Sequence, residues 1–119
     1  MTNVILHITQ RAQWEAAQKH QIYRSDTLES EGFIHCSTPQ QVINVANIFF
    51  GNQHGLVVLC INSDKVEAEI RYEAVQNELF PHIYGNLNLD AVFQVLDFEP
   101  QQDGSFTLPL EIISLIAKG

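Results

Sequence analysis

Three histidines stand in apolar, strand-like stretches of the chain: His7 in NVILHIT, His35 in GFIHCS and His82 in ELFPHIYG. Two of them are followed by a hydroxyl two positions later, Thr9 after His7 and Ser37 after His35. Residues two apart share one face of a strand, so each of these strands presents an imidazole and a hydroxyl on the same side. Such groups donate or accept hydrogen bonds near neutral pH and suit a ribose, a phosphate or an amide.

Aromatic side chains flank two of the histidines on the same strand faces. Phe33 lies two residues before His35, and Phe80 and Tyr84 lie on either side of His82. Each offers a flat surface on which a planar ring can stack. If the strands are neighbours with these faces aligned, the sequence predicts one polar and aromatic patch that binds a small molecule.

The histidines and the neighbouring Cys36 also allow three other interpretations, of which the first is the simplest. Each histidine taken alone can bond a backbone carbonyl and help to close the sheet. Three imidazoles also form a zinc set with an open position, although no pair has the i,i+2 or i,i+4 spacing typical of metal motifs, so we predict no metal site. A nucleophilic role for Cys36 is disfavoured because the alternation places its sulfur on the face opposite His35.

Composition predicts one compact domain over residues 1–119, since 119 residues with 45% hydrophobic content can bury a single core. No apolar run approaches the ~20 residues of a membrane span. The N-terminus lacks signal-peptide features, so we expect a cytoplasmic protein. The net charge of -8 disfavours nucleic acid as a partner and leaves a small molecule as the expected one, with the oligomeric state open.

The residue pattern predicts strands at 3–9, 32–37, 55–62, 69–75 and 91–100. The segment 78–85 is extended, but Pro81 confines it to an edge or a loop. A first helix is predicted over 10–23 with Thr9 as its cap, and 24–32 is predicted to be a loop or a short irregular stretch. Two early helices followed by a strand-rich half indicate an α+β fold with a mainly antiparallel sheet.

The second helix carries the clearest end signals. Thr38 suits the N-cap, Pro39 the first helical position, and Gln41 completes a capping box. Gly51 suits the left-handed residue that closes a helix. The predicted buried stripe consists of Val42, Ile43, Ala46, Phe49 and Phe50. Further on, an Asp-Gly pair at 103–104 predicts a hairpin-type turn, and 110–117 fits either a helix or a strand.

The stretches ILHIT, EGFIHCSTPQQ, RYE, FPHIYG and a late DG-F--LP resemble a family of small bacterial proteins, domain of unknown function 952, over about residues 4–109. That resemblance implies the ADP-ribosyltransferase fold, a split antiparallel sheet whose cleft binds NAD in active relatives. A weaker similarity is to NAD-using RNA 2′-phosphotransferases, which carry His-Gly-Thr and His-x-His-Leu-Ser. This chain has His7-Ile8-Thr9 and His35-Cys36-Ser37 at those places, with Ile8 replacing the glycine and Phe33 the first histidine of the second motif.

The resemblance implies roles for individual residues. By that match Glu73 in RYE is the candidate for the catalytic carboxylate, although an exposed strand glutamate paired with Arg71 is an alternative. We expect Glu73 and His35 to be catalytic, and NAD or a related nucleotide to be the ligand. The expected ligand-binding residues are His7, Thr9, Arg24, Phe33, Ser37, Arg71, His82 and Tyr84. Whether the protein is an enzyme of ADP-ribosyl- or phosphotransferase type, or a non-catalytic binding module, stays open at this point.

Overall fold

The computed structural model of the protein describes residues 3–118. Its strands are Val4–Gln10 (β1), Ile22–Tyr23 (β2), Ile34–His35 (β3), Leu56–Asn62 (β4), Glu69–Val75 (β5), Glu78–Tyr84 (β6), Leu87–Asn88 (β7) and Val92–Phe98 (β8). Its α-helices are Arg11–His20 (α1), Asp26–Glu31 (α2), Val42–Phe49 (α3) and Leu110–Lys118 (α4). Two short 3-10 turns cover Ser63–Lys65 and Leu89–Ala91.

The strands form three antiparallel sheets, in the orders β1-β4-β8, β3-β6-β5 and β2-β7. The predicted α+β class with mainly antiparallel sheets is confirmed. An isolated bridge between Leu6 of β1 and Ser37, made of two backbone hydrogen bonds of 2.7 and 2.8 Å, joins the first sheet to the segment after β3. This bridge brings the two histidine-containing strands of the first half of the chain side by side.

The core lies on both faces of the β1-β4-β8 sheet. Residues 56–61 of β4 are all buried, and they alternate between two hydrophobic clusters. One cluster joins Leu59 to Ile34, Ile83 and the ring of Tyr23, and the other packs Val58 against α3 and α4. The predicted central strand at 55–62 is therefore confirmed.

The first helix is shorter than predicted. Its N-cap is Gln10 rather than Thr9, and it ends at His20 because Gln21 adopts a left-handed conformation, with φ of 62°. Residues Ile22–Tyr23, expected to be helical, pair with β7 instead. Burial of the Tyr23 ring in the core outweighs the local helix propensity of this segment.

The predicted loop at 24–32 contains the helix α2. Ser25 caps it by accepting a hydrogen bond from the Thr27 N–H at 3.3 Å, and Gly32 ends it with φ of 89°. The prediction of a loop was wrong because this helix is one and a half turns long and carries little apolar periodicity.

The second helix begins at Val42 and not at Pro39. Half of the capping box exists, since Gln41 Oε1 accepts from the Thr38 N–H at 3.0 Å, but residues 38–41 form a turn before the helix. Only Val42 and Ala46 of the predicted stripe are fully buried, and Phe49 is 69% exposed. The left-handed position after the helix belongs to Asn52, with φ of 66°, so the assignment to Gly51 was wrong.

The strand β6 lies in the middle of its sheet, which corrects the prediction of an edge or a loop. The N–H and C=O of one strand residue point to the same side. The Pro81 carbonyl accepts a hydrogen bond from the Cys36 N–H at 3.1 Å, so it faces the β3 side of the strand. The position where Pro81 lacks an N–H therefore faces β3 as well, and β3 ends at His35. The proline therefore removes no bond between β5 and β6.

Two further predictions concern the C-terminal part of the chain. Gly104 takes a left-handed φ of 87° in a turn, but this turn joins no pair of strands, so the predicted hairpin is absent from the described residues. The segment 110–118 is the helix α4, whose Ile112 is buried. Within residues 3–118 no helix has the length and apolar character needed to cross a membrane.

Candidate functional site

A cavity of about 460 Å³ is lined by His7 of β1, His35 of β3 and His82 of β6. We refer to it as the histidine cavity. The pairing of the strands explains the convergence, because His35 lies directly opposite His82 in the β3-β6 ladder. The bridge at Ser37 brings β1 alongside, so Thr9 and Ser37 also line the cavity.

His7 forms the buried base of the cavity. Its Nδ1 donates to the His35 carbonyl at 2.5 Å, since a carbonyl can only accept. Its Nε2 lies 2.8 Å from the Tyr23 hydroxyl. Burial lowers the pKa of His7 from 6.5 to about 4, so the ring is neutral at pH 7 and carries its proton on Nδ1.

Tyr23 links the base of the cavity to α1. Because His7 Nε2 has no proton, the Tyr23 hydroxyl donates its one hydrogen to it, and the Tyr23 oxygen also lies 2.9 Å from Thr9 Oγ1. Thr9 Oγ1 lies 2.7 Å from the side-chain amide of Gln13. This role of Tyr23 was not predicted, because the residue pattern put Tyr23 at the end of a helix. Only the β2-β7 pairing turns its ring toward His7.

His82 is buried and held on two sides. Its Nδ1 lies 2.8 Å from Glu73 Oε1. The Phe33 ring stacks on it with centroids 4.1 Å apart and planes 21° apart, and the His35 ring meets it edge-on at 5.5 Å. Both the position and the orientation of the imidazole are therefore fixed by neighbouring side chains.

Glu73 lies behind His82 and does not line the histidine cavity. Its Oε1 also accepts from the Tyr84 hydroxyl at 2.5 Å. The hydrogen bond from Tyr84, and to a smaller extent that from His82, holds the pKa of Glu73 below its ordinary value. The bond between Tyr84 and Glu73 also raises the pKa of Tyr84. The structure therefore places Glu73, the predicted catalytic carboxylate, in contact with His82 and next to the cavity, and its catalytic role stays a prediction.

The ten residues singled out in the sequence fall into three groups. Five line the histidine cavity: His7, Thr9, His35, Ser37 and His82. Four lie next to it on the same face of the β3-β6-β5 sheet and are called here the outer strip: Phe33, Arg71, Glu73 and Tyr84. Arg24 lies in neither group: its exposed guanidinium pairs with Glu29 at 3.1 Å, and its role in ligand binding stays a prediction.

The outer strip is aromatic and charged. The Tyr84 ring lies 5.3 Å from the Phe33 ring, and the Arg71 guanidinium lies 4.3 Å from the centroid of the Tyr84 ring. Arg71 also pairs with Glu69 at 3.0 Å. A ligand longer than the cavity would meet a stacking surface and a cation on leaving it.

The alternative of a three-histidine metal site has no geometric support. Within the described part of the chain, no three His, Cys, Asp or Glu side chains are grouped as metal ligands. Both ring nitrogens of His7 contact protein atoms, the His35 carbonyl and the Tyr23 hydroxyl.

The two cysteines are buried core residues, as the strand alternation predicted for Cys36. Burial raises the pKa of the Cys36 thiol above that of an ordinary thiol and that of Cys60 to about 12. Because the thiolate is the reactive form, we expect neither to react with a thiol reagent such as DTNB at pH 8 in the folded protein, and both to react in 6 M guanidinium. Rapid labelling of the native protein would contradict this expectation.

Comparisons with known proteins place the chain beside uncharacterised relatives. A family model described as "Protein of unknown function (DUF952)" matches residues 8–95. The crystal structure of protein CC0527 from Caulobacter crescentus is 28% identical, with a TM-score of 0.86 over 93% of this chain and 99% of that chain. The solution NMR structure of CC0527 is 30% identical, with a TM-score of 0.75 over 86% and 90% of the two chains. No curated protein matches.

Proposed function

The chain belongs to the DUF952 family of proteins of unknown function, and we propose that its histidine cavity binds NAD or a related nucleotide as the substrate of an ADP-ribosyl- or phosphotransferase-like reaction. The observation that supports this proposal is the convergence of His7, His35 and His82 on one cavity with the Thr9 and Ser37 hydroxyls. The ADP-ribosyltransferase type of fold, which the motif resemblance implies, is part of the same proposal.

The size and chemistry of the site fit part of such a ligand. A volume of about 460 Å³ lies within the range of roughly 300–1,000 Å³ of small-molecule sites and suits one nucleoside unit. The rest of a dinucleotide would extend over the outer strip, where Phe33 and Tyr84 suit a planar ring. The Arg71 guanidinium suits a pyrophosphate, which it can bond through two donors.

The residues of the cavity have separable roles in this proposal. NAD supplies an ADP-ribosyl group on a labile bond to nicotinamide. The hydroxyls of Thr9, Ser37 and Tyr23 would bond its ribose or amide groups, and His7 would keep Tyr23 in place. His35 would be the acid–base group, because its side chain is half exposed at the cavity and its Nε2 contacts Glu31 at 3.1 Å.

Titration calorimetry and thermal unfolding with NAD test the binding step. We expect measurable heat and a higher Tm with millimolar NAD. His82→Ala should weaken binding about five-fold, because one hydrogen bond to a ligand is worth on the order of 1 kcal/mol. The matched control is His54→Ala, since His54 is an exposed histidine that pairs with Glu99 away from the cavity. The absence of both heat and thermal protection at millimolar NAD would rule the proposal out.

A second candidate function is a non-catalytic binding module that uses the same cavity. The observation that favours it is that Glu73, the candidate catalytic carboxylate, contacts His82 and is not among the residues that line the cavity. Release of nicotinamide from NAD distinguishes the two. Slow release by the native protein, lost in His35→Ala while NAD still binds, would reject the module; binding without release would support it.

A further inference from the structure

We infer that Glu73 is a positioning residue that holds the His82 ring with Nε2 as a hydrogen-bond acceptor toward the cavity, and that the ligand presents a hydroxyl to this nitrogen. For the identity of the ligand this inference rests on the proposed function. The inference concerns which group of the ligand lies beside His82, a sugar hydroxyl or a phosphate oxygen.

The contact between Glu73 and His82 determines which ring nitrogen carries the proton. An ionised carboxylate has only acceptor oxygens, so the hydrogen in the 2.8 Å contact belongs to His82 Nδ1. A neutral imidazole with its proton on Nδ1 has a lone pair on Nε2. His82 lines the cavity, and Nε2 is the nitrogen on the side of the ring away from Glu73.

Two further contacts prevent the ring from turning over. The Phe33 ring covers one face of the imidazole at 4.1 Å, nearly parallel to it, and the edge of the His35 ring approaches it at 5.5 Å. The residue is only 4% exposed, so a ring flip would have to displace packed neighbours.

The carboxylate that orients His82 is itself held in place. The Tyr84 hydroxyl donates to the same Glu73 oxygen at 2.5 Å, and the Arg71 guanidinium covers the Tyr84 ring at 4.3 Å. A line of contacts therefore runs from an exposed arginine on β5 to the wall of the cavity. Such carboxylate–histidine pairs fix both the tautomer and the direction of an imidazole.

The acceptor character of Nε2 defines the class of ligand group beside it. A ribose hydroxyl can donate a hydrogen to Nε2, whereas the oxygens of an ionised phosphate can only accept. We therefore place a sugar hydroxyl of the nucleotide beside His82. The phosphates would lie toward Arg71 on the outer strip.

Nitrogen-15 NMR of the labelled protein measures the tautomer of His82 directly and needs no ligand. In the native protein we expect Nδ1 in the pyrrole-like range and Nε2 in the pyridine-like range. Glu73→Ala should shift the proton toward Nε2, and Glu73→Gln should keep it on Nδ1, because the amide oxygen still accepts. Glu99→Ala is the matched control, since Glu99 contacts Nδ1 of another histidine, His54, at 3.0 Å and neither residue lines the cavity.

Calorimetry with NAD then tests the consequence for binding. Glu73→Ala should weaken NAD affinity about ten-fold, because the partner that orients His82 is lost, and Glu99→Ala should leave it unchanged. A native His82 with its proton on Nε2, or with protons on both ring nitrogens, would overturn the inference, whether or not any variant folds. A native protein that binds no NAD but shows the expected tautomer would overturn the proposed function and leave the positioning role of Glu73 supported.

Discussion

Acidification from pH 7 to pH 4.5 should remove about 2–3 kcal/mol from the free energy of unfolding through His7 alone. The pKa of His7 is lowered from 6.5 to about 4 by burial. Between these values the unfolded chain binds a proton that the folded protein does not, so stability is present above pH 6.5 and falls as the pH drops toward 4. Protonation of His7 in the folded protein is unfavourable, because Nδ1 already donates to a carbonyl and Nε2 faces the Tyr23 hydroxyl in the core.

Urea unfolding at pH 7, 6, 5 and 4.5 measures this effect. In His7→Gln the part of the slope that belongs to the imidazole should disappear. In His54→Gln the slope should remain, because the His54 side chain is 75% exposed. The carboxyl groups with lowered pKa values, including Glu73 and Glu99, lose their contribution to the free energy of unfolding mainly below pH 4.5. These groups are present in all three proteins and so do not account for a difference between them. Equal slopes in native protein and His7→Gln would show that His7 is not the cause.

Replacing Leu59 with alanine should lower the free energy of unfolding by about 2–5 kcal/mol. Leu59 is completely buried on the central strand β4 and lies opposite His7 in the β1-β4 ladder. Its cluster includes Ile34 of β3 and Ile83 of β6. The resulting void would therefore lie where the two histidine-containing sheets pack together, beneath the cavity.

Chemical unfolding at pH 7 compares this variant with Leu110→Ala, in which the same atoms are removed from a residue that is 79% exposed. The control should change stability by less than about 0.5 kcal/mol. We also expect Leu59→Ala to weaken NAD binding, since the spacing of His7 from His82 depends on this packing. A loss of stability below about 1 kcal/mol would contradict the assignment of Leu59 to a rigid core.

Much of the local arrangement followed from the period of two along the strands. The alternation predicted that His7 shares a face with Thr9, that His35 shares a face with Ser37, and that Cys36 points to the core, and the structure agrees on all three. The continuous apolar run at 55–62 predicted the central strand β4 for a similar reason, because both of its faces are covered. These features depend only on which residues are neighbours along the chain.

Predictions failed where a distant partner decided the local conformation. Residues Ile22–Tyr23 looked helical but pair with β7, which lies more than sixty positions later. Pro81 suggested an edge strand, yet β6 is central because its neighbour β3 stops before the missing donor is needed. Short segments have weak local preferences, so one long-range pairing or one buried ring outweighs them.

The sequence by itself determined the family, the α+β class and the strand faces on which the imidazoles and hydroxyls lie. Only the tertiary structure decided that His7 is held by Tyr23 and that Glu73 contacts His82 rather than the cavity. The physical reason is that periodicity sets the direction of a side chain relative to its own strand. Which groups it meets depends on the register and packing of strands far apart in the chain, and these are fixed only when the whole core forms.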